Sequence, residues 1–495
     1  MATASPPAAA AAPSAPARRV PPRRLAALAT VLGSALAMRV VFSPSYLNYD
    51  ARYALLWARD ATRGLTPDYE AAFAPTPHPL ETAASLLALP FGDEGDRLML
   101  WLILVAFGVL VWLTFRLGET LFGFWPGVVA ALVVLTRPAL ARDALIGYQD
   151  TAFAALIVGA VLLEAQSGAK PVASEARQGR GAPVLALLAV AGLMRPEAWV
   201  LGGLYWLYVA RADGVRDAVR LAPLVVAAPV LWALMDWAVT GDPLHSLHGT
   251  SELAEAVDRR RTPQEAPYWT VQYYGYVLRE PLVAGIPLGL FFAWRHRRHP
   301  ALLPLAVVAA MTVVFMAGSL FGLPLIGRYV RTPSVLLAPF YGLAVAGFTL
   351  LPRTHPTRTH WMAAGAIAAA LSLAWLPWHA RMLDNLRDRI TREGQAFADL
   401  EQAAEAPQTR AAFSACGSRI TSGDRRPIPH LRYWLDADPG SVNTVHQGAG
   451  AMREVLLLRR DRSELVRAPA GYRRAYRNAS WRVLAAPRCL TRPPA

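Results

Sequence analysis

Cysteine is nearly absent from this chain: Cys416 and Cys489 are the two thiols in 495 residues. No His/Cys ligand cluster supports a zinc site. Charge is scarce as well, at 17% of residues against 54% hydrophobic, with a mean hydropathy of +0.27. That balance excludes an ordinary soluble enzyme and fits a polytopic membrane protein, whose lipid-facing helices must be apolar all round. The net charge of +15 could suggest a nucleic-acid partner. Its placement argues otherwise, because the arginines cluster between apolar runs as in cytoplasmic loops. No inverted repeat of the kind common in transporters is visible either.

Residues 1–17 are Ala, Pro and Ser, cannot build a core, and are expected to be disordered, so residues 1–24 form a cytoplasmic tail. Arg18, Arg19, Arg23 and Arg24 precede the first apolar run, Leu25–Phe42. Hydrophobicity continues past Ala35-Leu36-Ala37, so this run is read as a retained span rather than a cleaved signal peptide. Ten further runs follow: 98–115, 121–136, 151–163, 182–194, 198–210, 221–235, 282–294, 301–326, 332–351 and 361–378. The expected architecture is α-helical and polytopic, with about eleven crossings over residues 25–378. Short runs beside polar motifs mark places where protein or a cavity receives the helix ends.

With a cytoplasmic N-terminus, most basic clusters between runs fall inside: Arg116; Lys170, Arg177 and Arg180; Arg211, Arg216 and Arg220; Arg295, Arg297 and Arg298; Arg353 and Arg358. This holds only if 182–210 is two short helices meeting at Arg195-Pro196-Glu197. Loops 43–97, 137–150, the short turn 195–197, 240–281 and 327–331 and a C-terminal region, 379–495, are then extracytoplasmic. That region has strand-like stretches at 455–458 and 481–485 and reads as a small α/β domain. In an exported domain its cysteines read as one disulfide, Cys416–Cys489, the alternative being two unrelated thiols.

The first external loop is the most elaborate polar stretch. It opens on Asp50, continues as an amphipathic helix (Tyr53, Leu56, Trp57) and ends in a Pro-rich turn carrying His78. Asp50 is either a helix cap or a general base placed at the membrane surface. Asp143 and Asp150 stand in the second loop; they either cap a helix and pair with Arg142, or bind an acceptor's hydroxyls or, with Asp50, a divalent cation. Arg195 and Glu197 either pair with each other or serve a site. Arg328, Tyr329 and Arg331 follow a long uncharged run. Guanidinium forks bind phosphate oxygens bidentately, so they suit a lipid phosphate, with headgroup snorkelling as the plain alternative. His245 and His248 are loop histidines, and Tyr268, Trp269, Tyr273, Tyr274 and Tyr276 read as an interfacial belt.

Taken in order, Tyr49-Asp50, the Pro-rich turn, the second-loop acids, Leu193-Met194-Arg195-Pro196-Glu197, Thr240-Gly241-Asp242-Pro243-Leu244 and Arg328-Tyr329 resemble GT-C membrane glycosyltransferases, relatives of protein mannosyltransferases and aminoarabinose transferases. The resemblance spans roughly residues 25–350. It implies a polyprenyl-phosphate sugar donor and a glycan, lipid or protein acceptor on the external face of a cell membrane. By the same resemblance Asp50 matches the catalytic acid, and Asp143 or Asp150 the second-loop acid. Arg328, Tyr329 and Arg331, with Arg195 and His78, would hold the donor phosphate, and Glu197 and His245 would support them. Many relatives carry Asp-Glu where this chain has Asp50-Ala51, leaving one carboxylate for a single inverting displacement. No cofactor is certain from the sequence, and a divalent cation stays open. A transporter or flippase of a lipid-linked substrate is the non-enzyme alternative, and a glycan polymerase or ligase is the nearer one.

Overall fold

The computed structural model describes residues 22–43, 45–168, 181–447, 452–461, 466 and 468–490. Residues 1–21 and the Lys170, Arg177 and Arg180 cluster lie outside them. All eleven apolar runs are helical. The membrane part comprises α1 (Pro22–Val41), α2 (Tyr49–Thr62), α3 (Pro79–Ala88), α4 (Gly95–Phe122), α5 (Phe124–Thr136), α6 (Pro138–Leu145), α7 (Asp150–Gly168), α8 (Ala182–Gly192) and α9 (Glu197–Ala212). It continues with α10 (Val215–Thr240), α11 (His245–Ala256), α12 (Ala266–Leu278), α13 (Leu282–Arg295), α14 (Leu302–Gly318), α15 (Arg331–Ala346) and α16 (Arg358–Glu405).

Among the described residues seven helices are long and apolar enough to cross a bilayer alone, and nine spans result if each of two bent pairs counts as one. The pairs are α5–α6, bent by 58° at Arg137, and α12–α13, bent by 96°. The expectation of about eleven is therefore refined. The two runs outside that count are α8 and α9, whose 11 and 16 residues reach only about 17 and 24 Å, short of the roughly 30 Å hydrocarbon core. As the spacing of polar residues requires, 182–210 is two short helices, α8 and α9, broken at Leu193–Pro196.

Helix packing is close where glycine permits it. A Cβ at Gly108 in α4 would collide with the Val31 carbonyl of α1, and one at Gly289 in α13 with the Phe340 carbonyl of α15. Helix α15 is the most enclosed; Leu336, Phe340 and Leu343 are fully buried in the main core.

Helix α16 runs 48 residues, about 72 Å, carrying the chain out of the apolar bundle. The C-terminal part adds α17 (Pro407–Ala415), β1 (Ile420–Ser422), α18 (Ile428–Trp434), β2 (Val442–Thr444), β3 (Val455–Arg459), β4 (Arg473–Arg477) and β5 (Trp481–Ala485). The sheet has strand order β2-β1-β3-β5-β4; β1 is parallel to β2 and β3, whereas β5 is antiparallel to β3 and β4. This is the expected small α/β domain. Its core does not close on itself: Tyr53, Leu56 and Trp57 of α2, with Tyr69, pack into the same cluster as Leu431, Val455, Leu457, Trp481 and Val483.

Polar ties reinforce that seam. Asp60 and Arg432 form an ion pair at 2.8 Å with side chains 1% and 2% exposed. Arg59 donates to the carbonyls of Tyr433, Arg432 and Ala437. Cys416 and Cys489 are joined in a disulfide across a separation of 73 residues, their Cα atoms 5.5 Å apart.

Closing a loop of that length restricts the unfolded chain by about 4 kcal/mol in the entropic account. Cys416→Ser is therefore expected to lower the midpoint of domain unfolding and to speed limited proteolysis after β3. Differential scanning fluorimetry with and without reductant checks this: reductant should shift the wild type and leave the variant unmoved.

A candidate active site between four loops

Helix α2 starts where Asn48 caps it. The Asn48 Oδ1 accepts from the backbone N–H groups of Asp50 and Ala51 at 2.7 and 3.2 Å. Its Nδ2 donates to the Ile146 carbonyl at 2.8 Å, and its own N–H bonds the same oxygen. One residue therefore caps the helix and fastens the first loop to the second. The capping role that Asp50 could have filled is taken, and its carboxylate is left for other partners.

That carboxylate lines a cavity of about 260 Å³ together with Arg142, Tyr148, Arg259, Ile326, Gly327, Arg328 and Arg331. Four of the five loops read as external contribute to it, all but the 195–197 turn: Asp50 from the first, Arg142 and Tyr148 from the second, Arg259 from 240–281 and Arg328 from 327–331. Arg328 stands on a single 3-10 turn, Gly327–Val330, that leads into α15. Its Nη1 lies 2.9 Å from Asp50 Oδ2 and 3.6 Å from Asp150 Oδ2, and its guanidinium covers the Tyr148 ring at 4.4 Å.

Beneath the cavity the acids and arginines are paired off. Arg195 bonds Asp150 and Glu197, and its guanidinium stacks on Tyr329 at 4.2 Å from the ring centre. Asp143, almost fully buried, is paired with Arg331 and lies 3.4 Å from Arg142 Nη1. Four carboxylates (Asp50, Asp143, Asp150, Glu197) thus meet five guanidinium groups, Arg142, Arg195, Arg259, Arg328 and Arg331. The group therefore carries one more guanidinium than carboxylates, a balance that suits a negative ligand.

The expected residues separate into layers. Asp50, Arg328 and Arg331 line the cavity; Asp143, Asp150, Arg195, Glu197 and Tyr329 form the layer that holds them. His78 is the residue before α3 and meets Trp232 edge-on at 5.5 Å. Its Nδ1 has no hydrogen-bond partner among the described residues, and burial pushes its pKa down to about 4. It is therefore neutral at physiological pH and can serve an anion only as a hydrogen-bond donor. His245 lies elsewhere, against Tyr69.

Tyr148, Arg259 and Glu81 went unnoticed in the sequence, and Arg142 was read only as a partner of Asp143. Arg142 and Arg259 look like any loop arginines, and only the fold turns them inward. Glu81, in the first turn of α3, is buried, and that burial, with the charges of Asp50 and Asp150, raises its pKa to about 8. A lone acid in the apolar stretch after the Pro-rich turn was the available signal.

A divalent cation fits these acids poorly, since each already carries a guanidinium. Among the described residues the one group close enough to share an ion is Cys416, Glu454 and Cys489, and its two sulfurs are bonded to each other.

No protein-family model matches the sequence, and no curated protein does. Solved structures do match. ArnT from Cupriavidus metallidurans bound to undecaprenyl phosphate aligns with TM-score 0.58 at 15% identity, covering 94% of this chain and 98% of that one. The same protein in its apo state gives 0.57 at 16%, covering 95% and 100%. The archaeal oligosaccharyltransferase AglB from Archaeoglobus fulgidus, in complex with an inhibitory peptide and a dolichol-phosphate, gives 0.50 at 10%, covering 88% and 70%.

Glu81 provides a test of the site's electrostatics. An acid whose pKa rises on folding lowers stability as pH climbs from its unfolded value toward the folded one. Glu81→Gln is expected to raise Tm over wild type at pH 8 and to leave it nearly unchanged at pH 4.5, measured in detergent by intrinsic fluorescence. Equal shifts at both pH values would mean that Glu81 is ionised in the fold.

With eleven helical runs, four loops converging on one cavity and alignment along nearly its whole length with ArnT, the chain has a GT-C-like fold.

Proposed function

We propose that this protein transfers a sugar from a polyprenyl-phosphate carrier to an acceptor hydroxyl on the extracytoplasmic face, with inversion, using Asp50 as general base. The observation that carries the reading is the cavity itself: one partly exposed carboxylate among four guanidinium groups. Its likeness in fold to a protein solved with undecaprenyl phosphate supports a lipid phosphate as the anion.

Arginines on two loops and the turn before α15 would hold the carrier's phosphate at the mouth of the site, with His78 donating to it while neutral. An incoming phosphate competes with Asp50 for Arg328, since both are anions reaching for one guanidinium. Binding of the donor would thus loosen the ion pair and leave the carboxylate facing the acceptor. The acceptor oxygen bonds to the anomeric carbon as the bond from that carbon to the phosphate oxygen breaks. The hydroxyl proton passes to Asp50, and the carrier leaves as its phosphate monoester. A phosphate needs no protonation to depart, so a single acid suffices. Asp150 and Asp143, each held by a buried arginine, would keep the guanidinium groups aimed at the developing charge without reorganisation.

The cytoplasmic N-terminus and external C-terminal domain follow from the basic loops at the opposite ends of the spans. The acceptor class and the sugar are set by whatever the cavity and its neighbours accommodate.

Asp50→Asn is expected to abolish transfer from a polyprenyl-phosphate sugar in membranes while Tm and expression stay near wild type; mass spectrometry of surface glycans gives the readout. Turnover at the wild-type rate would remove the base assignment. Arg328→Ala should slow transfer by roughly 10²–10³, the loss of one contact to the developing phosphate charge. Arg259→Ala, which breaks no ion pair among the described residues, should weaken donor binding with little effect on stability.

A further inference from the structure

A second and larger cavity, of about 390 Å³, lies on another flank of α2. Small-ligand sites commonly enclose about 300–1,000 Å³. Tyr53 and Asp68 contribute from the first loop, and Arg432, Asn443, Gln447 and Arg453 from the α/β domain. We propose that this cavity is a saccharide-binding site, taking a neutral sugar unit.

The chemistry of the lining points to that class. A sugar hydroxyl both donates and accepts, so its site needs both kinds of group within one enclosure. Here Asp68 accepts, Arg432 and Arg453 donate, and two amides can do both. A phosphate site would be lined by donors alone, as the Asp50 cavity nearly is. The lining also carries both signs of charge: Asp60 neutralises Arg432 at 2.8 Å, and Asp68 is a carboxylate in the same wall as Arg453.

Arg432 supplies the second observation. Its side chain is 2% exposed, yet Nε and Nη1 have no hydrogen-bond partner among the described residues. The nearest acid to Nη1 is Asp68 at 4.0 Å, beyond hydrogen-bond range. Buried donors are rarely left without an acceptor, and a ligand hydroxyl would provide one. The amides are already oriented: Asn443 Oδ1 accepts from Thr421 Oγ1 at 2.7 Å, and Gln447 Oε1 from the Thr444 N–H at 2.9 Å. Preorganised polar groups of this kind are what a binding site requires.

The two cavities share α2. Tyr53 lies one turn beyond Asp50, about 4.5 Å along the helix axis. The Tyr49 hydroxyl, beside Asp50, also donates to the Phe73 carbonyl at 2.5 Å, next to Ala71 and Ala72 in the cavity wall. A glycan seated here would thus present a neighbouring unit toward the carboxylate. Assigning the bound sugar to the acceptor rests on the glycosyl-transfer reading above; saccharide binding itself does not.

The test uses full-length protein in a sugar-free detergent, without donor. Saturation-transfer NMR would be recorded with glucose, mannose, galactose, N-acetylglucosamine and their disaccharides. At least one should bind, and Arg453→Ala and Gln447→Ala should each weaken it about tenfold, the effect of one lost hydrogen-bonding side chain. Both side chains lie at the rim, so the variants should fold; unchanged Tm verifies this. Binding that persists in Asp50→Asn keeps the site independent of transfer. Silence across the panel, or undiminished binding in the double variant Arg453→Ala/Gln447→Ala, overturns the proposal. Saccharide binding lost in the double variant with an unchanged acceptor KM would overturn only the acceptor assignment.

Discussion

The guanidinium of Arg328 lies against Asp50 and Asp150 at once, and much of the surrounding architecture answers to that demand. A carboxylate at the end of a membrane helix is costly unless a cation is fixed beside it, and a cation so placed needs its own acids. Asp150 is therefore shared with Arg195, Arg195 with Glu197, and Asp143 with Arg331 and Arg142. Alternating sign in this way lets charges sit where hydrocarbon would otherwise be required. It also leaves one arginine over at the rim, where a negative ligand can complete the series.

The broken helices belong to the same scheme. Helices α8 and α9 are too short to span alone, and their junction delivers Arg195 to the underside of the site. The bend at Arg137 between α5 and α6 similarly brings the second loop inward, where the Ile146 carbonyl meets Asn48. Interruptions in apolar runs are thus the positions at which polar groups enter the bundle, and each freed backbone end finds a partner there.

This is why so much could be read from the sequence. Apolar runs report helices directly, and a charge stranded between two of them reports a pair or a site. Asp50, Arg195, Glu197 and Arg328 stood out on that ground, and the two cysteines of the C-terminal region reported their bond. Arg142, Arg259 and Glu81 gave no such contrast, because their role comes from loops folding over one another across more than a hundred residues. The difference between about eleven apolar runs and nine long or bent spans lies in α8 and α9, because hydropathy registers that a segment is apolar and not whether it is long enough to cross alone. Nor did any local pattern disclose that α2 completes the core of the C-terminal domain, since its amphipathic face could equally have lain on lipid.

That shared helix has an architectural consequence. One surface of α2 holds Asp50 for the bundle, while another is buried among the strands of the sheet. The domain is consequently built onto the helix that carries Asp50 rather than appended to the bundle, and the two parts must vary together. A graft of this domain onto another bundle would have to carry its own first loop with it, or leave Trp57 facing a stranger.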